Sequence, residues 1–125
     1  MRPTVVALLA IVIGTAPAAA IDLTCSGVLH TYKPRHTEAT VAPQAAVVDL
    51  DRRVISTPVG RFDINKIADD TISFGGESPS YSGLTIFGTL DRLTGLMTVI
   101  GQKPGNTAQA EMYSELNCSK AKRLF

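Results

Sequence analysis

The apolar residues of this chain repeat mainly with a period of two, which is the spacing of a β-strand. The clearest case is the segment 109–118, where every second residue belongs to a largely apolar set: Ala110, Met112, Ser114, Leu116 and Cys118. Successive side chains of a strand point to opposite faces, so one face here is suited to a core and the other to water. The pattern predicts antiparallel strands that are buried on one side only.

The same alternation recurs along the chain, in segments separated by turn residues such as Gly, Pro, Asn and Asp. The best hairpin spans residues 83–100, and its turn places Asp91 where a side-chain oxygen can cap the turn and Gly95 where φ is positive. A short helix over 61–70, with Phe62, Lys66 and Asp70 on one side, is an alternative to strand, although Ile64 and Ile67 do not keep to that side. The predicted strands are eight: 23–31, 45–50, 53–58, 61–67, 71–75, 82–90, 96–101 and 109–118.

The amino end has the three parts of a secretory signal peptide. Arg2 supplies a positive charge, residues 5–13 are uniformly apolar, and residues 18–20 are alanines. We expect cleavage after Ala20, or alternatively after Ala18, which leaves residues 21–125 as one β domain. An uncleaved anchor is the other interpretation, but a spanning helix needs about 20 apolar residues and this run has about half of them. The pattern predicts a periplasmic or secreted protein without stable membrane insertion after signal removal.

The two cysteines, Cys25 and Cys118, both lie in the predicted mature part. An even cysteine count behind a signal peptide indicates a disulfide. A redox pair is the alternative, but catalytic dithiols are usually close in sequence, as in C-x-x-C. The predicted bond closes a loop of about 94 residues, for which the chain-entropy model gives about 4 to 5 kcal/mol.

Strand count and disulfide together predict the architecture. In an up-and-down meander the first and last strands run antiparallel only when the number of strands is even, and eight satisfies this. We therefore predict an all-β fold, a small antiparallel up-and-down barrel or barrel-like sandwich of about eight strands, with Cys25 joined to Cys118 across the closing seam. Closure also removes the exposed sheet edges that promote aggregation. The two α-carbons should lie within about 7 Å of each other.

The charges of the chain are balanced. It has 12 Lys plus Arg and 11 Asp plus Glu, and the loss of Arg2 with the signal peptide makes the two sets equal. Nucleic-acid binding and attachment to an acidic membrane surface both rely on clustered positive charge. We therefore expect no nucleic-acid partner, and we expect a monomer.

Motifs for catalysis are weak. The serines show no G-x-S-x-G pattern, and no Gly-rich phosphate loop precedes a helix, so no catalytic residue and no cofactor is predicted. The carboxylate pairs Asp49 with Asp51 and Asp69 with Asp70 could suggest a glycosidase. The first pair lies on an outward face and the second in a turn, and we interpret both as solvated charge.

Both histidines, His30 and His36, lie in the most polar stretch of the chain, before a predicted loop that runs to about residue 44. Only Glu38 lies near them in sequence, and a metal site needs three or four ligands, so no metal site is predicted. Long loops on rigid scaffolds often carry function, and a solvated, mobile loop without a role is the alternative. We take this loop, with the basic residues that follow the next strand, as the candidate contact surface: Tyr32, Lys33, Arg35, His36, Arg52 and Arg53.

Several short motifs resemble a group of small exported bacterial β proteins of unknown function. They are Leu-Thr-Cys-Ser-Gly at 23–27, Val-Val-Asp-Leu-Asp at 47–51, Asp-Arg-Leu-Thr-Gly at 91–95, the strand 113–118, and Lys-Arg-Leu-Phe at 122–125. The resemblance spans nearly the whole predicted mature chain. It implies export and a compact β fold, and it brings no activity or catalytic residues.

The function expected from these features is that of a non-catalytic binding or protein-interaction module of the cell envelope. One alternative is a small-ligand carrier of calycin-like type. The chain has no tryptophan and so lacks the Gly-x-Trp signature of lipocalins, and the alternation of small and large inward residues favours a filled barrel with at most a shallow pocket at its open end. A hydrolase that uses His30 or His36 is the third hypothesis.

Overall fold

The computed structural model describes residues 20–77, 83–105 and 110–122. The predicted signal peptide, apart from Ala20, lies outside these residues. The described residues form eight strands and no helix: β1 Ala20–Thr31, β2 Thr37–Asp49, β3 Val54–Thr57, β4 Gly60–Ile67, β5 Thr71–Glu77, β6 Thr85–Asp91, β7 Leu96–Gln102 and β8 Met112–Lys120.

The strands close into one antiparallel barrel in which each strand pairs with its neighbours in sequence. The last strand, β8, pairs with β1 over nine residue pairs, from Leu23 opposite Lys120 to Thr31 opposite Met112. The predicted up-and-down topology is confirmed, and of the two predicted forms the fold is the barrel.

The disulfide fastens the seam between β1 and β8. Cys25 and Cys118 lie directly opposite each other, with their α-carbons 4.0 Å apart. Both face the interior, since Cys25 is 0% and Cys118 is 8% exposed. The predicted bond between the two ends of the domain is therefore confirmed.

The interior is packed with the inward-facing side chains. Phe62 and Phe74 stack near its centre with ring centroids 5.8 Å apart, and Gly88 lies beneath the Phe74 ring, where a β-carbon would overlap ring atoms. The one buried polar side chain among the described residues, Ser114, donates a hydrogen bond to the Val28 carbonyl at 2.9 Å. Burial of these side chains is the main stabilising contribution of the fold.

The segment 61–70 does not form a helix. It contains β4, and the pairing of β4 with β5 shifts register between Ile64 and Lys66. The unpaired residue between them is Asn65, a β-bulge, which inserts one residue and interrupts the alternation. Ile67 packs against the core although it stands at an odd spacing from Ile64, because the bulge shifts the alternation by one residue.

The predicted loop 32–44 is too long. Strand β2 begins at Thr37, so the loop comprises residues 32–36 only, and the strand predicted over 45–50 is 37–49. Most of the additional strand, 37–44, is exposed, with Val41 half-buried. Both of its faces carry small or polar residues, so the sequence shows no apolar alternation there.

The β6–β7 turn has the predicted chemistry. The Asp91 carboxylate accepts hydrogen bonds from the backbone N–H groups of Leu93 at 2.8 Å and Thr94 at 3.0 Å. Gly95 has φ of 83° and donates its N–H to the Asp91 carbonyl at 2.9 Å. The backbone hydrogen bonds from Thr94 and Leu93 hold the pKa of Asp91 below its usual value of 3.8.

This pKa predicts a pH-dependent stability. Because the pKa of Asp91 is lower in the folded than in the unfolded chain, its charge stabilises the fold above the usual carboxyl pKa, and this contribution is lost as the pH falls through the folded pKa. We expect Asp91→Asn to lower Tm at pH 7, with the difference from wild type shrinking as the pH falls below the usual carboxyl pKa and disappearing once Asp91 is protonated in the folded protein. Asparagine keeps an acceptor oxygen, so thermal melts across this range isolate the charge. A difference in Tm that is constant with pH would contradict this prediction.

Candidate functional site

The structure separates the predicted contact residues into two groups. Tyr32, Lys33, Arg35 and His36 lie in the β1–β2 loop. Arg52 and Arg53 lie in the β2–β3 turn, at the other end of β2. The length of that strand separates them from the loop, about 40 Å. The end of the barrel with the β1–β2 loop is here called the loop end, and the end where β1 begins and β8 finishes is called the mouth end.

Both arginines at the mouth end have local partners. The Arg52 Nε lies 3.9 Å from an Asp49 carboxylate oxygen. Arg53 has φ of 57° and donates from Nη2 to the carbonyl of the bulge residue Asn65 at 3.2 Å. Arg53 therefore helps to hold the β2–β3 turn against β4, and neither arginine contributes to a surface with the β1–β2 loop.

At the loop end, β1 and β2 extend past the short strand β3. The ladder between β1 and β2 runs from Ala20 opposite Asp49 to Thr31 opposite Thr37, whereas β2 pairs with β3 only over Val47–Asp49. Within the described part of the chain, residues 37–46 thus form a ladder with β1 alone. We call the extended part, residues 27–46, the β1–β2 arm.

Four aromatic rings gather on the outer wall at this end, and we call them the histidine–tyrosine cluster: His30, Tyr32, His36 and Tyr113. The ring centroids of Tyr32 and His36 are 5.0 Å apart, and those of His30 and His36 are 5.3 Å apart, with both pairs stacked. His30 is also 6.1 Å from Tyr32 and 6.0 Å from Tyr113. The rings therefore form one continuous group.

Strand register brings these rings together. His30 of β1 is the direct partner of Tyr113 of β8 on one side and of Glu38 of β2 on the other. Side chains of directly opposed residues share a face of the sheet, and here it is the outer face. Beyond the end of β1, the Tyr32 N–H donates to the Glu111 carbonyl at 3.0 Å, which anchors the start of the loop to the approach to β8.

Two polar contacts fix ring positions in the cluster. His30 Nδ1 and His36 Nε2 are 3.1 Å apart and share a hydrogen bond, in which one ring donates its N–H and the other accepts. The Tyr113 hydroxyl donates to Glu115 Oε2 at 3.1 Å. Partial burial, and then the hydrogen bond and negative charge of Glu115, raise the pKa of Tyr113 above its usual value, so its hydroxyl stays protonated as a donor at neutral pH.

Sequence reasoning did not include Tyr113 or Glu115 in the contact surface. The sequence does contain a pattern that points to them. The alternation of β8 places both residues on its outward face, and the predicted pairing of the first and last strands brings that face beside β1. The alternation alone does not specify the register between β1 and β8, and it is this register that places Tyr113 opposite His30.

The mouth end carries a pocket of about 340 Å³. Its floor consists of apolar side chains from four strands: Ile21, Leu23, Val48, Ile72 and Leu90. Its lip consists of the β6–β7 turn, residues 91–95, and the end of β8, residues 118–120. We call this the mouth pocket.

Neither a metal cluster nor a membrane-spanning helix is found within residues 20–77, 83–105 and 110–122. No group of three or more His, Cys, Asp or Glu side chains there is placed to hold a metal ion. None of the described segments forms a helix long and apolar enough to cross a membrane.

Comparison with models of protein families, with curated proteins and with solved structures finds no match. The fold itself defines the class of protein: a disulfide-closed, eight-stranded antiparallel barrel with a filled interior. A disulfide between its terminal strands is consistent with an oxidising, exported compartment.

Proposed function

We propose that this protein is an exported, non-catalytic binding module of the cell envelope, and that the β1–β2 arm is the surface by which it binds a partner protein. One observation supports this proposal above the others. The arm has a ten-residue strand segment, 37–46, that forms a ladder on one side only within the described chain, and it lies beside the histidine–tyrosine cluster.

The mode of binding that fits this edge is addition of a strand. An edge strand presents backbone N–H and C=O groups to any extended chain that approaches it, and many peptide-binding domains use such an edge. Pro43 lacks an N–H and lies at the bulge between the pairs Cys25–Gln44 and Gly27–Val41. The uninterrupted part of the edge is therefore Thr37–Val41, enough for a partner segment of about five residues.

The histidine–tyrosine cluster supplies side-chain contacts next to this backbone edge. Tyrosine and arginine are enriched among residues that dominate interface energies, and the loop carries Tyr32 and Arg35 with Lys33 between them. Because the rings are held by register and by hydrogen bonds, little conformational entropy is lost when a partner orders them. Pre-ordered rings on an outer wall favour recognition of a protein surface.

A photo-crosslinking experiment tests this proposal. A photoreactive residue at Ala39, on the arm, is expected to capture a saturable partner from envelope extracts, whereas the same residue at exposed Thr89 on β6 is the matched control. The captured protein is then purified and titrated against Tyr32→Ala/His36→Ala, for which we expect at least about tenfold weaker binding. Arg52→Ala, at the mouth end, should bind like wild type.

Equal capture from positions 39 and 89 would contradict a specific arm surface. Unchanged affinity of the Tyr32→Ala/His36→Ala variant for the purified partner would remove the cluster from the proposal. Catalytic turnover of the partner by the barrel, lost in His30→Ala, would replace the binding module with the hydrolase hypothesis.

A further inference from the structure

The mouth pocket lies at the opposite end of the barrel from the histidine–tyrosine cluster, and its floor is apolar. Val48, Ile72 and Leu90 are buried core residues whose outermost atoms form the bottom of the pocket. Ile21 and Leu23, which complete the floor, are half-buried. The pocket is bounded below by the packed core, so a ligand here rests on top of the filled barrel and does not enter it.

The lip carries an unusual apolar residue. Leu93 lies in the β6–β7 turn, lines the pocket and is 81% exposed. Turn positions are usually taken by Gly, Pro, Asn, Asp or Ser, which favour turn geometry, and the capping contacts of this turn come from Asp91. Nothing in the turn geometry requires leucine there, whereas a leucine at the lip extends the apolar floor toward an incoming ligand.

The charged groups of the lip are Asp91, Arg92 and Lys120. The Asp91 carboxylate is directed into its own turn, where it accepts the two backbone N–H groups described above. Arg92 is held in place because its Nη1 donates to the Ala68 carbonyl at 2.7 Å, a bond that uses one of the five N–H donors of the guanidinium. Lys120, at the end of β8, is exposed. Two cations therefore remain at the lip to meet a ligand, while the carboxylate of Asp91 is already bonded.

We infer that the mouth pocket binds a small amphiphile: an apolar chain that lies on Leu23, Ile72 and Leu90, with an anionic head, such as a carboxylate, that meets Arg92 and Lys120. The volume of about 340 Å³ lies at the lower end of the range for small-molecule sites, about 300 to 1,000 Å³. A single short acyl chain fits this size. This site goes beyond the proposed partner surface and does not depend on it.

Three probes of equal chain length test the inference: octanoate, 1-octanol and octylammonium, each titrated into the purified, oxidised protein and followed by two-dimensional amide NMR. We expect octanoate to shift the amides of Leu23, Leu93 and Lys120 while Ala39 on the arm stays unchanged. Exposed ion pairs contribute modestly to binding, so octanoate should bind about fivefold more tightly than the other two.

Variants of the lip residues test which side chains contact the probes. Lys120→Glu should weaken octanoate binding at least about tenfold and raise the affinity for octylammonium, since it reverses the charge at an exposed position that need not disturb the fold. Leu93→Ala should weaken all three probes. Phe87→Ala is the matched control, because Phe87 is also a large exposed apolar residue, 51% exposed, but does not line the pocket.

Each contrary result overturns part of the inference. Equal binding of octanoate and octanol, or tightest binding of octylammonium, would overturn the anionic head. Shifts at other positions, or none with any probe, would overturn the site itself. Equal effects of Leu93→Ala and Phe87→Ala would indicate nonspecific adsorption. None of these results bears on the partner surface, which the crosslinking experiment tests separately.

Discussion

Replacement of both cysteines, in Cys25→Ala/Cys118→Ala, is expected to lower the free energy of unfolding by about 4 kcal/mol. The two residues are 93 positions apart in sequence, so the bond restricts nearly the whole unfolded domain, and the chain-entropy model assigns about 4 to 5 kcal/mol to a loop of that length. Single domains are stable by only about 5 to 15 kcal/mol. The variant should therefore be close to unfolding at 37 °C.

Denaturant titration also tests the mechanism. If the bond acts by restricting the unfolded chain, its loss lets that chain expand, and the dependence of the free energy on denaturant, the m value, should rise. Wild type treated with a thiol reductant should fall to the stability of the variant, while the variant should not respond. Equal stability of oxidised and reduced wild type would contradict the prediction.

The closed barrel was predictable because two independent patterns agree. The alternation of apolar residues gives the strands, and the disulfide requires that the first and last of them meet. In an up-and-down order of eight strands, the first and last strands run antiparallel, so they can pair and close the barrel. The inward side of Cys25 and Cys118 follows from the same alternation, since both fall among the apolar positions of their strands.

The extent of β2 could not be predicted, for a physical reason. Residues 37–45 form a strand through backbone pairing with β1, yet most of their side chains bury little surface. Apolar alternation reports burial of one face, so a strand exposed on both faces leaves no such pattern. The segment that the sequence predicts as a loop is largely a strand edge, and this form depends on long-range pairing.

The composition of the site shows the same limit. Tyr32 and His36 were predicted from their place in a polar segment, whereas Tyr113 enters through register with β1. Arg52 and Arg53 are near the loop in sequence order but a full strand length away in space. The mouth pocket draws on β1, β2, β5, β6 and β8, so only the closed barrel brings its residues together.

Gly95→Ala is expected to be the second most damaging of the changes considered, at about 2 to 5 kcal/mol. Gly95 has φ of 83°, where an L-residue with a side chain loses about 1 to 2 kcal/mol. Its α-carbon also faces β8 so closely that a β-carbon would overlap the carbonyl oxygen of Cys118. Overpacking of this kind costs about 1 to 3 kcal/mol more.

The Cys118 backbone has little freedom to move away. Its N–H donates to the Gly95 carbonyl at 2.8 Å, and its side chain is bonded to Cys25. Gly83→Ala is the matched control, because Gly83 has φ of 85° but, beyond its chain neighbours, no described residue has an atom within 4 Å of the position that a β-carbon would take there. It should lose only the backbone contribution, about 1 to 2 kcal/mol. The difference between the two variants, measured by denaturant titration, isolates the contact between the β6–β7 turn and β8. Equal losses of stability in the two variants would contradict the prediction. They would show that β8 moves away from the added β-carbon without destabilising the fold, despite its disulfide and hydrogen bonds.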